Sequence, residues 1–285
     1  MLFCFYNKWQ KLFTDAGFWL AIGFILVLYA SAEIYMDLTK YDEYSVWLSL
    51  VSFDRDFMMK HIEFSSVSIL QKSKTGYLSM FIPMVAPFAT VRLLCAEQES
   101  GVIRFEIVRC GRIKYHISNF ISGVFSGGIL ASIGFIIYGF LIYLLFPKFG
   151  MYSAEMQFSQ IEFYQMVYGV TLPTNYFVLL VNKLPIMFLY GVFASMPAVA
   201  LTSILRNPYT ILCLPFFFNY VLTQLTIKMM EKTNSGNLLY IRPSAWLEFV
   251  DQSDIRLAIL IRCILLLFFA VFYLLMQNLK ADRGA

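Results

Sequence analysis

Residues 91–117 read VRLLCAEQESGVIRFEIVRCGRIKYHI and form the one long charged segment between two uninterrupted apolar runs. The following run, Ile117–Pro147, has no ionisable side chain other than tyrosine. Basic residues concentrate in the cytoplasmic loops of membrane proteins, so the segment predicts a cytoplasmic loop. Its charged residues are Arg92, Arg104, Arg109, Arg112 and Lys114, against Glu97, Glu99 and Glu106.

The order of residues within this segment predicts its local structure. Glu97-x-Glu99-x-Gly101 is expected to end one helix, Val102–Val108 to form two further turns, and Cys110-Gly111 to break them. Glycine has the backbone freedom that both corners need. Acidic residues at the start and basic residues at the end complement the helix dipole. The pattern predicts a short amphipathic helix held between two membrane spans.

The composition places the chain among integral membrane proteins. Hydrophobic residues make up 59% of the 285 positions and charged residues only 14%, and the mean hydropathy is +0.67. A water-soluble domain has about a quarter charged residues, so a soluble globule is excluded.

The hydropathy pattern predicts an all-α fold with six transmembrane helices in a single domain. Leu2, Phe5, Tyr6, Trp9, Leu12 and Phe13 share one face of a preceding helix, opposite Asn7, Lys8, Lys11 and Thr14, which favours an amphipathic interfacial helix. Pro83 and Pro87 predict a bend in the second span. Moderately apolar stretches at 238–241 and 245–250 predict a re-entrant or interfacial outer element before the last span. The predicted boundaries are an interfacial helix at 1–15 and spans at about 17–33, 76–95, 117–147, 184–205, 208–227 and 257–279.

Lysine and arginine counts predict the orientation. The segments assigned to the inside hold ten of these residues in 48 positions, and those assigned to the outside hold eleven in 108. The positive-inside rule then puts both termini in the cytoplasm of a multi-pass plasma-membrane protein.

The charged segment resembles the one between the second and third spans of permease subunits of ABC-2 type transporters. Those subunits carry E-x-E-x-G, an apolar coupling helix, a basic turn and a tyrosine. The resemblance implies contact with a separate ATPase through Glu97, Glu99, Gly101, Val102, Ile103, Arg104, Phe105, Arg109, Arg112 and Tyr115. The alternative is a solvated loop kept inside by its cations.

The resemblance also implies a dimer, either of two copies or with a closely related second permease, that encloses a path through the membrane. Phe81, Phe88, Phe216 and Phe217 are the predicted lining residues, with lipid-facing or core packing as the alternative. Size and aromatic content favour export of an amphipathic peptide or another hydrophobic substrate, as in bacterial exporters of bacteriocins or phenol-soluble modulins. Membrane lipid is an expected partner and nucleic acid is not.

Catalytic signatures are absent from the sequence. No G-x-x-x-x-G-K-[ST] phosphate loop occurs, so the chain is predicted to be no enzyme by itself, with ATP and magnesium bound by the partner ATPase. Five cysteines without a C-x-x-C pair predict no disulfide framework, and two histidines placed on opposite sides give no metal site. Arg262, inside the sixth span, is either functional, or it snorkels outward or pairs with Asp254 or Glu248. A membrane scaffold or sensor, and an intramembrane enzyme, remain the alternative functions.

Overall fold

The structure is a computed structural model and describes residues 2–37, 42–72, 77–168, 175–233 and 255–282. At 2–4, 37, 167–168, 231, 233, 255–258 and 279–282 it describes the backbone alone. The predicted outer element at 238–250 lies outside the described residues, as do Glu248 and Asp254, the partners suggested for Arg262.

Helices dominate the described chain, with one short hairpin near the N-terminus. In chain order the elements are α1 (Leu2–Thr14), α2 (Ala16–Ala30), β1 (Glu33–Asp37), β2 (Asp42–Ser45), α3 (Val46–Ser52), α4 (Arg55–Lys60), a 3-10 turn (Ile62–Phe64), α5 (Ser66–Lys72), α6 (Tyr77–Val85), α7 (Phe88–Glu99), α8 (Val102–Cys110), α9 (Arg112–Leu145), a second 3-10 turn (Phe149–Met151), α10 (Ala154–Tyr168), α11 (Tyr176–Leu201), α12 (Pro208–Thr233) and α13 (Ile255–Asp282).

Within the described residues, five helical segments are long and apolar enough to cross a membrane, and a sixth is added if α1 and α2 count as one bent span. The five contain α6 with α7, α9, α11, α12 and α13. This arrangement agrees with the predicted all-α multi-pass membrane protein.

Helices α1 and α2 meet at a bend of 63°. Leu12 and Lys8 of α1 face the protein and are buried, whereas Tyr6 and Phe13 are exposed. Lys8 of the predicted polar face therefore turns inward beside Leu12 of the predicted apolar face, while Thr14 of the polar face is exposed. The exposed Tyr6 and Phe13 are suited to contact a membrane surface.

The second span is interrupted as predicted. Helix α6 contains Pro83 and ends at Val85, and α7 starts at Phe88 with Pro87 as its N-cap. Proline lacks a backbone N–H and its ring clashes with the preceding turn, so a continuous helix is broken here.

The closest helix contact joins α9 and α11. At Gly191, an added Cβ would overlap the carbonyl oxygen of Gly127. Ser195 Oγ donates to the carbonyl oxygen of Val124 at 3.1 Å. The small residues in the first half of the third span thus serve a contact within the chain, one of the two options that the sequence left open.

Helix α11 corrects the predicted boundary of the fourth span, because it starts at Tyr176 rather than Leu184. The side chain of Asn175 accepts a hydrogen bond from Phe177 N at 3.1 Å and caps the helix. Lys183, expected in a loop, is a buried helical residue. The apolar pattern hides this start because Asn182 and Lys183 interrupt it.

The described parts of the first two predicted outer loops, at 33–75 and 148–183, form a folded cap instead of plain connections. Strands β1 and β2 pair antiparallel. Tyr35 packs edge-on against Phe53, with ring centroids 5.6 Å apart. Tyr152 donates from its hydroxyl to the carbonyl oxygen of Met58 at 2.9 Å, which joins the two predicted loops.

The segments assigned to the cytoplasm gather at the opposite end of the helices. Gln98 Nε2 donates to the carbonyl oxygen of Thr202 at 3.0 Å. Arg112 donates to the carbonyl oxygen of Gln277 at 2.8 Å. This end, called the inner end below, brings α1, α7, α8, the start of α9 and the end of α13 together.

Candidate functional site

Four charged side chains from three helices form a cluster at the inner end. Lys8 of α1 pairs with Glu97 of α7, and it lies 3.5 Å from Glu106 of α8. Lys11 lies 3.1 Å from Glu97 and 2.8 Å from Glu106. Each lysine therefore bridges both glutamates, and we call these four residues the charge cluster.

The centre of the charge cluster is removed from water. Lys8 is 3% exposed and Glu97 is 6% exposed. Tyr115 of α9 donates from its hydroxyl to Glu97 Oε2 at 3.3 Å, and its ring centroid lies 5.1 Å from Lys8 Nζ. A hydrogen bond and a cation–π contact thus accompany the ion pair, as a buried pair of charges requires.

Local sequence explains how the charge cluster forms. Lys8 and Lys11 are three residues apart and share one face of α1. Glu97 lies in the last turn of α7, and Glu106 lies in α8 beyond the Gly101 corner. Burial disfavours the ionised form of Glu106, but a hydrogen bond from Lys11 and the charge of Lys8 outweigh it, so the pKa of Glu106 falls below its ordinary value.

Helix α8 offers a large apolar surface to its surroundings. Phe105 is 76% exposed and Val108 is 85% exposed, and no residue of the helix is fully buried. Gly101 and Gly111 flank it with φ of 70° and 81°, conformations that glycine adopts at little cost. The predicted helix at 102–108 is therefore present, extended to Cys110, and held clear of the core by two glycine corners.

The structure divides the residues predicted to meet an ATPase into two groups. Glu99, Val102, Arg104, Phe105 and Arg109 are exposed, and Gly101 and Ile103 are half-buried beside them.

The second group consists of Glu97, Tyr115 and Arg112. Glu97 and Tyr115 are buried in and beside the charge cluster. Arg112 is half-buried and also donates to the carbonyl oxygen of Asn278 at 3.2 Å, which ties the start of α9 to the last turns of α13. Glu97 and Tyr115 can position α8, whereas a partner would have to contact the exposed group.

An open cavity of about 800 Å³ lies beside α8. Its walls come from the α7–α8 corner, α8, the start of α9, the end of α13 and Arg206 from the α11–α12 connection. We call this cavity the inner cleft.

The four phenylalanines predicted to line a path do not share one surface. Phe81 of α6 stacks on Phe216 of α12 with ring centroids 5.0 Å apart, and Phe217 contacts Phe216 at 5.5 Å but is itself exposed. Phe88 packs instead in a separate cluster with Ala198 and other residues. Three of the four thus form one aromatic run, and Phe88 is not part of it.

The remaining candidates are Arg262, the possible metal ligands and the cysteines. Arg262 of α13 is half-buried and lies close enough to Tyr190 to interact electrostatically. Among the described residues, no group of three or more His, Cys, Asp or Glu side chains could hold a metal ion. Cys95, Cys213 and Cys263 are free, and Cys110 is disulfide-bonded, a bond that the cysteine pattern of the sequence did not predict.

Sequence reasoning did not assign Lys8 and Lys11 to the site. The available signal was a pair of cations on an amphipathic helix together with two glutamates flanking a glycine corner. Comparison with known proteins adds no assignment, since no family model, curated protein or solved structure matches the chain.

Proposed function

We propose that the chain is the membrane subunit of an ATP-driven exporter of the ABC-2 type. It would form the translocation path as a dimer with itself or a related permease, and separate ATPase subunits would bind ATP and magnesium. An amphipathic peptide or another hydrophobic molecule is the proposed substrate. The protein would lie in a bacterial plasma membrane with both termini in the cytoplasm.

The exposed apolar face of α8 carries this proposal. Leaving Phe105 and Val108 in water costs about 25 cal/mol for each Å² of apolar surface. A groove on a soluble partner would cover this face, and Arg104 and Arg109 would lie at the rim of the contact, where charges orient more than they bind.

The charge cluster holds α8, and with it the exposed apolar face of this helix, against α1. Glu106 anchors α8 to α1 through Lys11, and Glu97 anchors the end of α7 to the same helix. A partner that pushes on α8 would therefore act on α1 and α7 as well. Such a linkage suits the transfer of motion from an ATPase to membrane helices.

Replacement of Phe105 by alanine tests the proposal. The chain would be co-expressed with its neighbouring genes, and recovery of a complex with an ATPase and substrate-stimulated ATP hydrolysis would be measured. Central aromatic residues of interfaces contribute about 2 kcal/mol or more, so at least a tenfold loss of ATPase binding is expected. Membrane insertion should remain normal because Phe105 has little contact with the core.

Phe158→Ala is the matched control, since Phe158 is 68% exposed on α10 in the cap at the other end. It should leave ATPase binding unchanged. If Phe105→Ala binds and stimulates the ATPase as well as Phe158→Ala does, α8 is not the coupling element. If no ATPase is recovered even with the parent chain, the scaffold or sensor alternative is favoured.

A further inference from the structure

The inner cleft combines positive charge with an apolar wall. Arg104, Arg112 and Arg206 contribute three guanidinium groups to its lining, against the single carboxylate of Glu99. Arg104 and Arg206 are exposed, and neither forms an ion pair within the described residues. Two cationic groups are thus available at the mouth of the cleft.

The floor of the cleft reaches into the membrane helices. Leu94 and Tyr273 line it from α7 and α13, one on each side. His116 and Asn119 of α9 also line it although they are only 6% and 3% exposed. Within the described chain, His116 Nδ1 and Asn119 Oδ1 have no hydrogen-bond partner. Polar side chains therefore lie among the apolar residues that line this floor.

We propose that the inner cleft binds the headgroup of an anionic phospholipid from the cytoplasmic leaflet. The guanidinium groups of Arg104 and Arg206 match a phosphate, to which arginine donates two parallel hydrogen bonds.

A lipid fits the position of the cleft better than a soluble anion does. Basic pockets between membrane helices on the cytoplasmic side are typical sites for anionic headgroups. The cleft lies where α9 and α13 pass from their charged ends into their apolar runs. Binding needs only this chain, so the inference stands or falls independently of the ATPase.

The test uses the full-length protein purified in a zwitterionic detergent. Dioctanoyl phosphatidylglycerol is titrated against dioctanoyl phosphatidylcholine, and the rise in the thermal unfolding midpoint gives an apparent affinity. The phosphatidylglycerol should stabilise the parent protein and the phosphatidylcholine should not. Arg104→Gln and Arg206→Gln should each weaken binding about fivefold, the change expected for one basic residue near an anionic membrane surface.

Lys114→Gln is the matched control, because Lys114 is exposed on the first turn of α9 but does not line the cleft. It should change the affinity by less than about twofold, and all variants should unfold at the parent temperature without lipid. Equal stabilisation by the two lipids, or equal affinity of Lys114→Gln and the double arginine variant, would overturn the proposal. Saturation of the shift by inorganic phosphate, or displacement of the lipid by polyglutamate, would overturn it in favour of a free anion or an acidic protein segment.

Discussion

Replacing Glu97 by glutamine should detach α1 from the inner end of the protein. The amide keeps the size of the side chain but removes its charge. Lys8 then remains 3% exposed and loses its main counter-ion, with only Glu106 at 3.5 Å to replace it. A buried cation that loses its partner is strongly destabilising, because its desolvation is no longer offset.

The magnitude follows from the burial of the two partners. Breaking one side of a buried ion pair costs about 3–5 kcal/mol, and the lower figure applies here because Glu106 still faces Lys8. About 3 kcal/mol corresponds to an increase of roughly a hundredfold in local opening of α1. Glu106→Gln removes a carboxylate with 21% of its side chain exposed, so its effect should be nearer 1 kcal/mol, or about fivefold.

Amide hydrogen exchange across residues 5–14 measures this opening directly in detergent or nanodiscs. A double variant, Lys8→Met with Glu97→Gln, should recover most of the lost protection, because no uncompensated buried charge remains. If amide exchange in α1 of Glu97→Gln stays within about threefold of the parent rate, the reasoning is refuted. A double variant that opens more than the single one would also refute it.

Three other predictions test separate parts of the structure. Gly191→Ala should destabilise the protein by about 1–3 kcal/mol in thermal unfolding, because its methyl group would overlap the backbone of α9; Gly23→Ala, whose Cβ would meet nothing within 4 Å, should not. The pKa of Glu106 lies below its ordinary value of 4.5. Its ion pairs should therefore protect α1 fully at pH values above 4.5, and this protection should be lost as the pH falls through the lowered pKa. Glu106→Gln should show a smaller loss of protection in acid. Single cysteines at the exposed positions of Arg104 and Lys60 should be labelled by an impermeant maleimide only at position 60 in intact cells, and labelling at 104 would contradict the predicted orientation.

Much of the helical architecture could be predicted because long apolar runs in the sequence indicate membrane helices. The break near Pro87 and the corners at Gly101 and Gly111 were predictable for a related reason. Proline and glycine act through their own backbone geometry, which does not depend on distant contacts. The helix at 102–108 is predicted correctly on these grounds, apart from its extension to Cys110.

The contacts that build the site were not predictable, because they join residues far apart in the chain. Nothing local to Glu97 indicates that Lys8, 89 positions earlier, will neutralise it. The same holds for the cap, where Tyr152 meets Met58. The start of α11 was missed for a different reason, since the buried Lys183 breaks the apolar pattern of a helix that the Asn175 cap begins earlier.

The position of α8 depends on the glycines at its two ends and on the interactions that its side chains make with neighbouring helices. Gly101 and Gly111 form its two corners, no side chain of α8 is fully buried, and Cys110 at its end is disulfide-bonded. Glu106 adds a polar tie that leads to α1 through Lys8 and Lys11. Because α1 continues into α2 through the 63° bend, a displacement of α8 would reach the first membrane helix without passing through the tightly packed α9–α11 pair. If an ATPase acts on Phe105 as proposed, the first span is the part of the path that should move first.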